Sequence, residues 1–111
     1  MQVLSGAGLF TAPGAGSGVH WVEHLRASDL SVGTYSIPAG ADDEQEPHTE
    51  DEIYVVTAGQ ATLEAGGDAV PVGPGSVIYV PASEPHRFTG IASDLAALVL
   101  FAPAEYSRAG G

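Results

Sequence analysis

Short runs of β-type residues, broken at near-regular intervals by Gly, Pro, Asp and Ser, dominate this chain from Val19 onward. The runs span 19–26, 30–38, 52–57, 61–65, 69–72, 76–80, 86–91 and 95–101. Turn residues such as Ala58-Gly59, Gly66-Gly67-Asp68 and Gly73-Pro74-Gly75 fill the gaps. β-Branched and aromatic side chains fit a pleated backbone, and Gly and Pro punctuate it. No segment carries convincing 3.6-residue periodicity, although residues 104–108 are long enough for one closing turn. Eight short strands at this spacing predict an all-β fold, a sandwich or barrel.

The 111 residues fit one domain, 1–111, with a barrel core at about 19–102 and a Gly-rich N-terminal arm over 1–18. The arm opens with an apolar patch that reads as an edge strand, then a loop. Glycines at 14, 16 and 18 do not match either nucleotide-binding fingerprint, and no helix-forming segment follows them. With no cysteine, thiolate catalysis, thiolate metal sites and disulfides are all excluded. The first 25 residues contain no Lys or Arg, so the basic start of a signal peptide is missing, and no apolar run is long enough to span a bilayer. The expectation is a cytoplasmic protein. Fourteen Asp and Glu stand against three basic residues, Arg26, Arg87 and Arg108. That balance excludes nucleic acid and anionic membrane surfaces as partners, because both need basic groups. Runs 76–80 and 95–101 are nearly continuously apolar, as if covered on both faces, which points to a homodimer.

Seven of the fourteen acids lie between Asp42 and Glu52, and the chemistry concentrates there and around His86. Residues two apart on a strand share a face, so Glu46 and His48 can point the same way. After a bend at 49–51, Glu52 opens the next run, and His86 opens a later one. Imidazole and carboxylate donors converging in this way suit iron, manganese, zinc, nickel or copper. Glu46 either joins the set or faces solvent, and Glu50, with the parity of His48, is its rival. His20 and His24, on an early strand, read as structural or exposed. Tyr54 shares the face of Glu52, and Phe88 that of His86, so both are expected to line the cavity, with Tyr35 as a further lining candidate.

These residues resemble the cupin family. Its first motif is Gly, five residues, His-x-His, three or four residues, Glu, six residues, Gly. Here Gly40, Glu46, His48, Glu52 and Gly59 fall in that register, with Glu46 in place of the first His. The second motif is Gly, five residues, Pro-x-Gly, two residues, His, and Gly75, Pro81, Ser83 and His86 reproduce it with Ser83 at the second Gly. Gly90 occupies a position where Asn is frequent. Segments 24–26, 30–35 and 47–54 are similar to a subgroup of small single-domain bacterial cupins. The resemblance implies a jelly-roll barrel, an antiparallel double-stranded β-helix. It also implies one divalent metal ion held by Glu46, His48, Glu52 and His86, and a small-molecule ligand. With two carboxylates on the ion, the site would be formally neutral and would favour a neutral enol, phenol or ketone over an anion. The implied activity is dioxygenase-like. A metal-dependent isomerase or lyase, or a non-catalytic binding module, are the alternatives.

Overall fold

The computed structural model describes residues 1–15, 18–43 and 45–109. Six strands follow in chain order: β1 (His20–Arg26), β2 (Ser31–Ile37), β3 (Asp51–Ala65), β4 (Asp68–Val72), β5 (Val77–Val80) and β6 (His86–Ala102). The pairings are antiparallel and run β1-β2-β6-β3-β4, with β5 also on β3.

Eight expected runs become six strands because two pairs fuse. Runs 52–57 and 61–65 are the two halves of β3, and runs 86–91 and 95–101 are the two halves of β6. The turn residues between them bend these strands instead of ending them. Register slips between Val56 and Thr62 divide the β3–β6 ladder. Above the slips β3 pairs with β5, and below them with β4. Bulges of this kind increase local twist and curl a sheet. Gly59 sits at the corner with φ +87°, and a β-carbon there would strike the Asp94 carbonyl oxygen. The result is an antiparallel jelly-roll barrel, as the sequence leads one to expect.

The core alternates along the bent strands, as a two-residue period demands. Tyr54, Val56 and Leu63 of β3 meet Phe88, Leu95, Val99 and Phe101 of β6, with Ile37 and Val80 between them. Each is at most 4% exposed, and burying a side chain of this kind contributes about 1.5–3 kcal/mol.

β2 is buried on both faces apart from Tyr35. The N-terminal arm supplies the second cover, and it does so without forming a strand: among the described residues it makes a turn at 5–8. Gly8 N–H donates to Thr34 Oγ1 (2.8 Å) and Thr11 N–H to Ser36 Oγ (3.1 Å), so hydroxyls on the face opposite Tyr35 find partners. An edge strand is therefore replaced by side-chain-to-backbone bonds. Gly16 and Ser17 of the arm lie outside the described residues. Among the described residues no helix is long and apolar enough to cross a membrane.

Candidate metal centre

Three backbone features bring three donors to one end of the barrel. Glu52, second in β3, is held between Val80 of β5 and Phe101 of β6. His86 is the first residue of β6. His48 precedes β3, and its carbonyl accepts the Ser83 N–H at 2.7 Å, which ties its loop to the β5–β6 connection. Ser83 has φ +67°, a left-handed conformation that Gly adopts without steric cost. The second motif favours Gly at this position, and the turn geometry supplies the physical reason.

One donor atom each from His48, Glu52 and His86 lies within 4.8 Å of the others, so the three can hold a metal ion. His86 Nε2 is 2.9 Å from Glu52 Oε1, and His48 Nδ1 is 3.6 Å from the same oxygen. His48 Nδ1 and Glu52 Oε1 are buried without a hydrogen-bond partner among the described residues. Unpartnered buried acceptors are costly, and a shared cation satisfies both at once. His86 Nδ1 faces the Glu84 carbonyl at 2.8 Å. With the N–H on Nδ1, the Nε2 lone pair is left toward Glu52. Burial lowers the His86 pKa, but Glu52, the Glu84 carbonyl and Asp43 reverse this and hold it above its ordinary value.

Of the other expected site residues, Tyr35 and Tyr54 line the cavity and Glu46 does not. The cavity is about 100 Å³ and is bounded by Trp21, Tyr35, Gln45, His48, Glu52, Tyr54, Val99, Phe101 and Glu105. Glu46 is exposed and absent from the three-donor cluster. The two-residue alternation begins only at Asp51, and before it the irregular backbone turns Gln45 inward instead. Phe88 also departs from the expectation. It packs edge-on against Tyr54 at 5.0 Å and belongs to the core, where Tyr54 forms the cavity wall. Glu50 is buried, and its carboxylate accepts the backbone N–H groups of Tyr106 and Arg108 and the Thr49 hydroxyl. Burial raises its pKa, but these donors outweigh that and lower it below the usual carboxylate range.

The acidic run is thus largely built into the structure. Asp43 is buried and accepts Tyr35 O–H (2.6 Å), Gln45 Nε2–H (2.7 Å) and Phe88 N–H (2.8 Å). Asp51 accepts the Ala82 N–H at 2.9 Å. Glu44 lies outside the described residues. Tyr54 O–H donates to Gln45 Oε1 (3.0 Å) and lies 3.1 Å from His86 Nε2. Burial pushes both the Tyr54 and Tyr35 phenols upward, and Glu52 and Asp43 respectively add to it. Of the early histidines, His24 Nε2 meets Thr34 Oγ1 at 2.6 Å, away from the donors; neither His20 nor His24 joins the cluster.

Sequence reasoning missed Gln45 and Glu105. Glu105 belongs to a C-terminal turn at 103–109, where Ser107 N–H bonds Ala104 O and Ala109 N–H bonds Tyr106 O. That is the closing turn expected at 104–108, but it packs on the three-donor cluster: Glu105 Oε2 is 3.0 Å from His48 Nε2.

The cupin-domain family model matches residues 33–103, and the chain belongs to this family. It is 44% identical over 85 residues to the uncharacterised protein SCO3923 of Streptomyces coelicolor, covering 77% of this chain and 81% of that protein. Among solved structures it resembles KdgF from Halomonas sp., with a TM-score of 0.71, 21% identity, and 82% and 84% of the two chains covered. It also resembles the DMSP lyase DddQ from Ruegeria pomeroyi, with a TM-score of 0.72 and 23% identity, over 92% of this chain and 54% of that one. At these identities the two structural likenesses concern the fold.

Proposed function

We propose that this protein is a metal-dependent enzyme of the dioxygenase type that acts on a small neutral enol, phenol or ketone. The convergence of two imidazole nitrogens and one carboxylate oxygen, His48, His86 and Glu52, carries the reading. Two His and one carboxylate with open positions is the donor set of non-haem iron(II) oxygenases. A divalent ion there supplies Lewis acidity and, if redox-active, access to dioxygen chemistry.

The rest of the cavity selects the substrate. Its volume is about 100 Å³, room for a small reacting group beside the donors. Among the described residues its lining has no Lys or Arg, whereas Glu52 and Glu105 both face it. An anion would meet two carboxylates without a protein cation, which supports a neutral substrate even with Glu46 outside. Trp21, Val99 and Phe101 form one wall, and the Tyr54 hydroxyl, its proton given to Gln45 Oε1, presents an acceptor oxygen to a substrate hydroxyl.

Phenols beside the donors favour a second reading, a Lewis-acid isomerase or lyase in which a bound ion would polarise a carbonyl and the Tyr54 or Tyr35 oxygen would hold a substrate hydroxyl. Oxygen uptake separates the two. Iron(II)-loaded protein given simple enols and phenols should consume dioxygen in proportion to substrate, and His86→Ala should abolish it. Zinc-loaded protein that turns over without dioxygen would replace the oxygenase reading with the second. Saturable binding without turnover under either condition would leave a binding module.

A homodimer is part of the same proposal. Val77, Val55 and Leu98 form one cross-strand row, and Tyr79, Ile53 and Leu100 the next. Val77 is 66% and Tyr79 59% exposed in the single chain. A contiguous apolar sheet face of this kind supports self-association. Sedimentation should give a dimer that Val77→Glu converts to a monomer, and a wild-type monomer would refute it.

A further inference from the structure

We infer that Glu105, on the C-terminal turn, positions His48 for metal binding by accepting a hydrogen bond from its outward nitrogen. The inference rests on His48, Glu52 and His86 forming the metal set. A neutral imidazole has one N–H and one lone pair. His48 Nε2 lies 3.0 Å from Glu105 Oε2, while His48 Nδ1 faces Glu52 and has no partner. Placing the proton on Nε2 makes Glu105 its acceptor and leaves the Nδ1 lone pair aimed at the other two donors. His86 is held in the same way with the nitrogens exchanged, its Nδ1 against the Glu84 carbonyl. Both imidazoles therefore have one nitrogen toward the cluster and one against a fixed acceptor, the arrangement that sets ring orientation and tautomer in metal sites.

Glu105 is itself fixed at both backbone groups. Its N–H donates to Ser31 Oγ at 2.8 Å, and its carbonyl accepts Arg26 Nη2–H at 2.9 Å. Ser31 is 1% exposed. One residue on, Tyr106 N–H is held by the Glu50 carboxylate, as is Arg108 N–H. Tyr106 has a left-handed φ of +60°, and its ring stacks on His48 with centroids 5.2 Å apart and planes 24° apart. Three side chains from distant positions thus fasten a turn whose product is one carboxylate against one imidazole. Glu105 is outside the tight donor cluster, so it acts through His48 and is a positioning residue.

Two measurements test this. In zinc-loaded protein, nitrogen-15 NMR should show His48 Nε2 protonated and Nδ1 bound to the metal, and the reverse assignment would overturn the inference. Cobalt(II) affinity, read by chelator competition together with the visible absorption band, should fall by about ten-fold or more in Glu105→Leu, in line with loss of an outer partner to a metal-bound His. Glu105→Gln keeps an acceptor for Nε2–H and should recover most of that affinity and the wild-type band. Wild-type affinity and band in Glu105→Leu would overturn the inference. If Glu105→Leu does not fold, the NMR assignment on the wild-type chain decides alone. Wild-type protein that binds neither zinc nor cobalt would remove the metal reading itself, a failure distinct from an unaffected Glu105→Leu.

Discussion

Gly59→Ala should be far more damaging than Gly40→Ala, although both glycines have left-handed backbones, with φ +87° and +76°. An L-residue in that region costs about 1–2 kcal/mol, and both variants incur it. They differ in what the new methyl meets. At Gly40 nothing lies within 4 Å, whereas at Gly59 the β-carbon would collide with the Asp94 carbonyl oxygen and lie 2.7 Å from Leu95 Cα. Both neighbours are backbone of β6, in the corner where that strand changes partner halves, so they cannot move without disturbing the ladder. Forcing a methyl into a packed site adds about 1–3 kcal/mol. The gain of about 0.4–1 kcal/mol from restricting the unfolded chain applies to both, which leaves an expected loss of about 1–4.6 kcal/mol for Gly59→Ala and about 0–1.6 kcal/mol for Gly40→Ala. At about 4–5 °C per kcal/mol for a domain near this size, that means roughly 4–23 °C against about 0–8 °C. Thermal unfolding followed by circular dichroism, with urea midpoints as a second measure, compares the variants directly. Equal losses at the two positions would refute the assignment of Gly59 as the tight corner of the barrel.

Stability should fall as pH rises above about 10, the ordinary phenol value. Burial, and then Asp43, raise the Tyr35 phenol, so the folded state keeps a proton that the unfolded chain has already released. Tyr35→Phe should flatten that fall in urea midpoints, and an unchanged slope would refute it. Glu46→Ala should leave metal affinity within about two-fold of wild type, well short of the ten-fold or greater effect of losing a metal-site partner. Chelator competition checks this, and a ten-fold loss would return Glu46 to the ligand set.

The sequence made some of this structure readable and left other parts hidden, for identifiable reasons. Glu52 and His86 come together because each lies at a strand start, which constrains the direction of its side chain, and His48 joins them through the bond from Ser83 N–H to its carbonyl. Glu46 lies outside the three-donor group because the parity that placed it beside His48 belongs to strands, and residues 45–50 are not strand. The eight runs were correct as β-structure, but Gly and Asp at barrel corners look the same as Gly and Asp at chain reversals, so the fused β3 and β6 were not separable from four short strands. Glu105 was out of reach for a different reason. It lies 57 residues from His48 in the chain, and only the folded positions of Ser31, Arg26 and Glu50 bring it back.

Metal stoichiometry tests the central claim most directly. Protein loaded anaerobically with iron(II), freed of excess by gel filtration and analysed by mass spectrometry of its elements, should hold one ion per chain. His48→Ala, Glu52→Ala and His86→Ala should each lose most of it while keeping the wild-type circular dichroism spectrum. A wild-type chain that retains no metal, or single variants that each retain a full equivalent, would contradict the site.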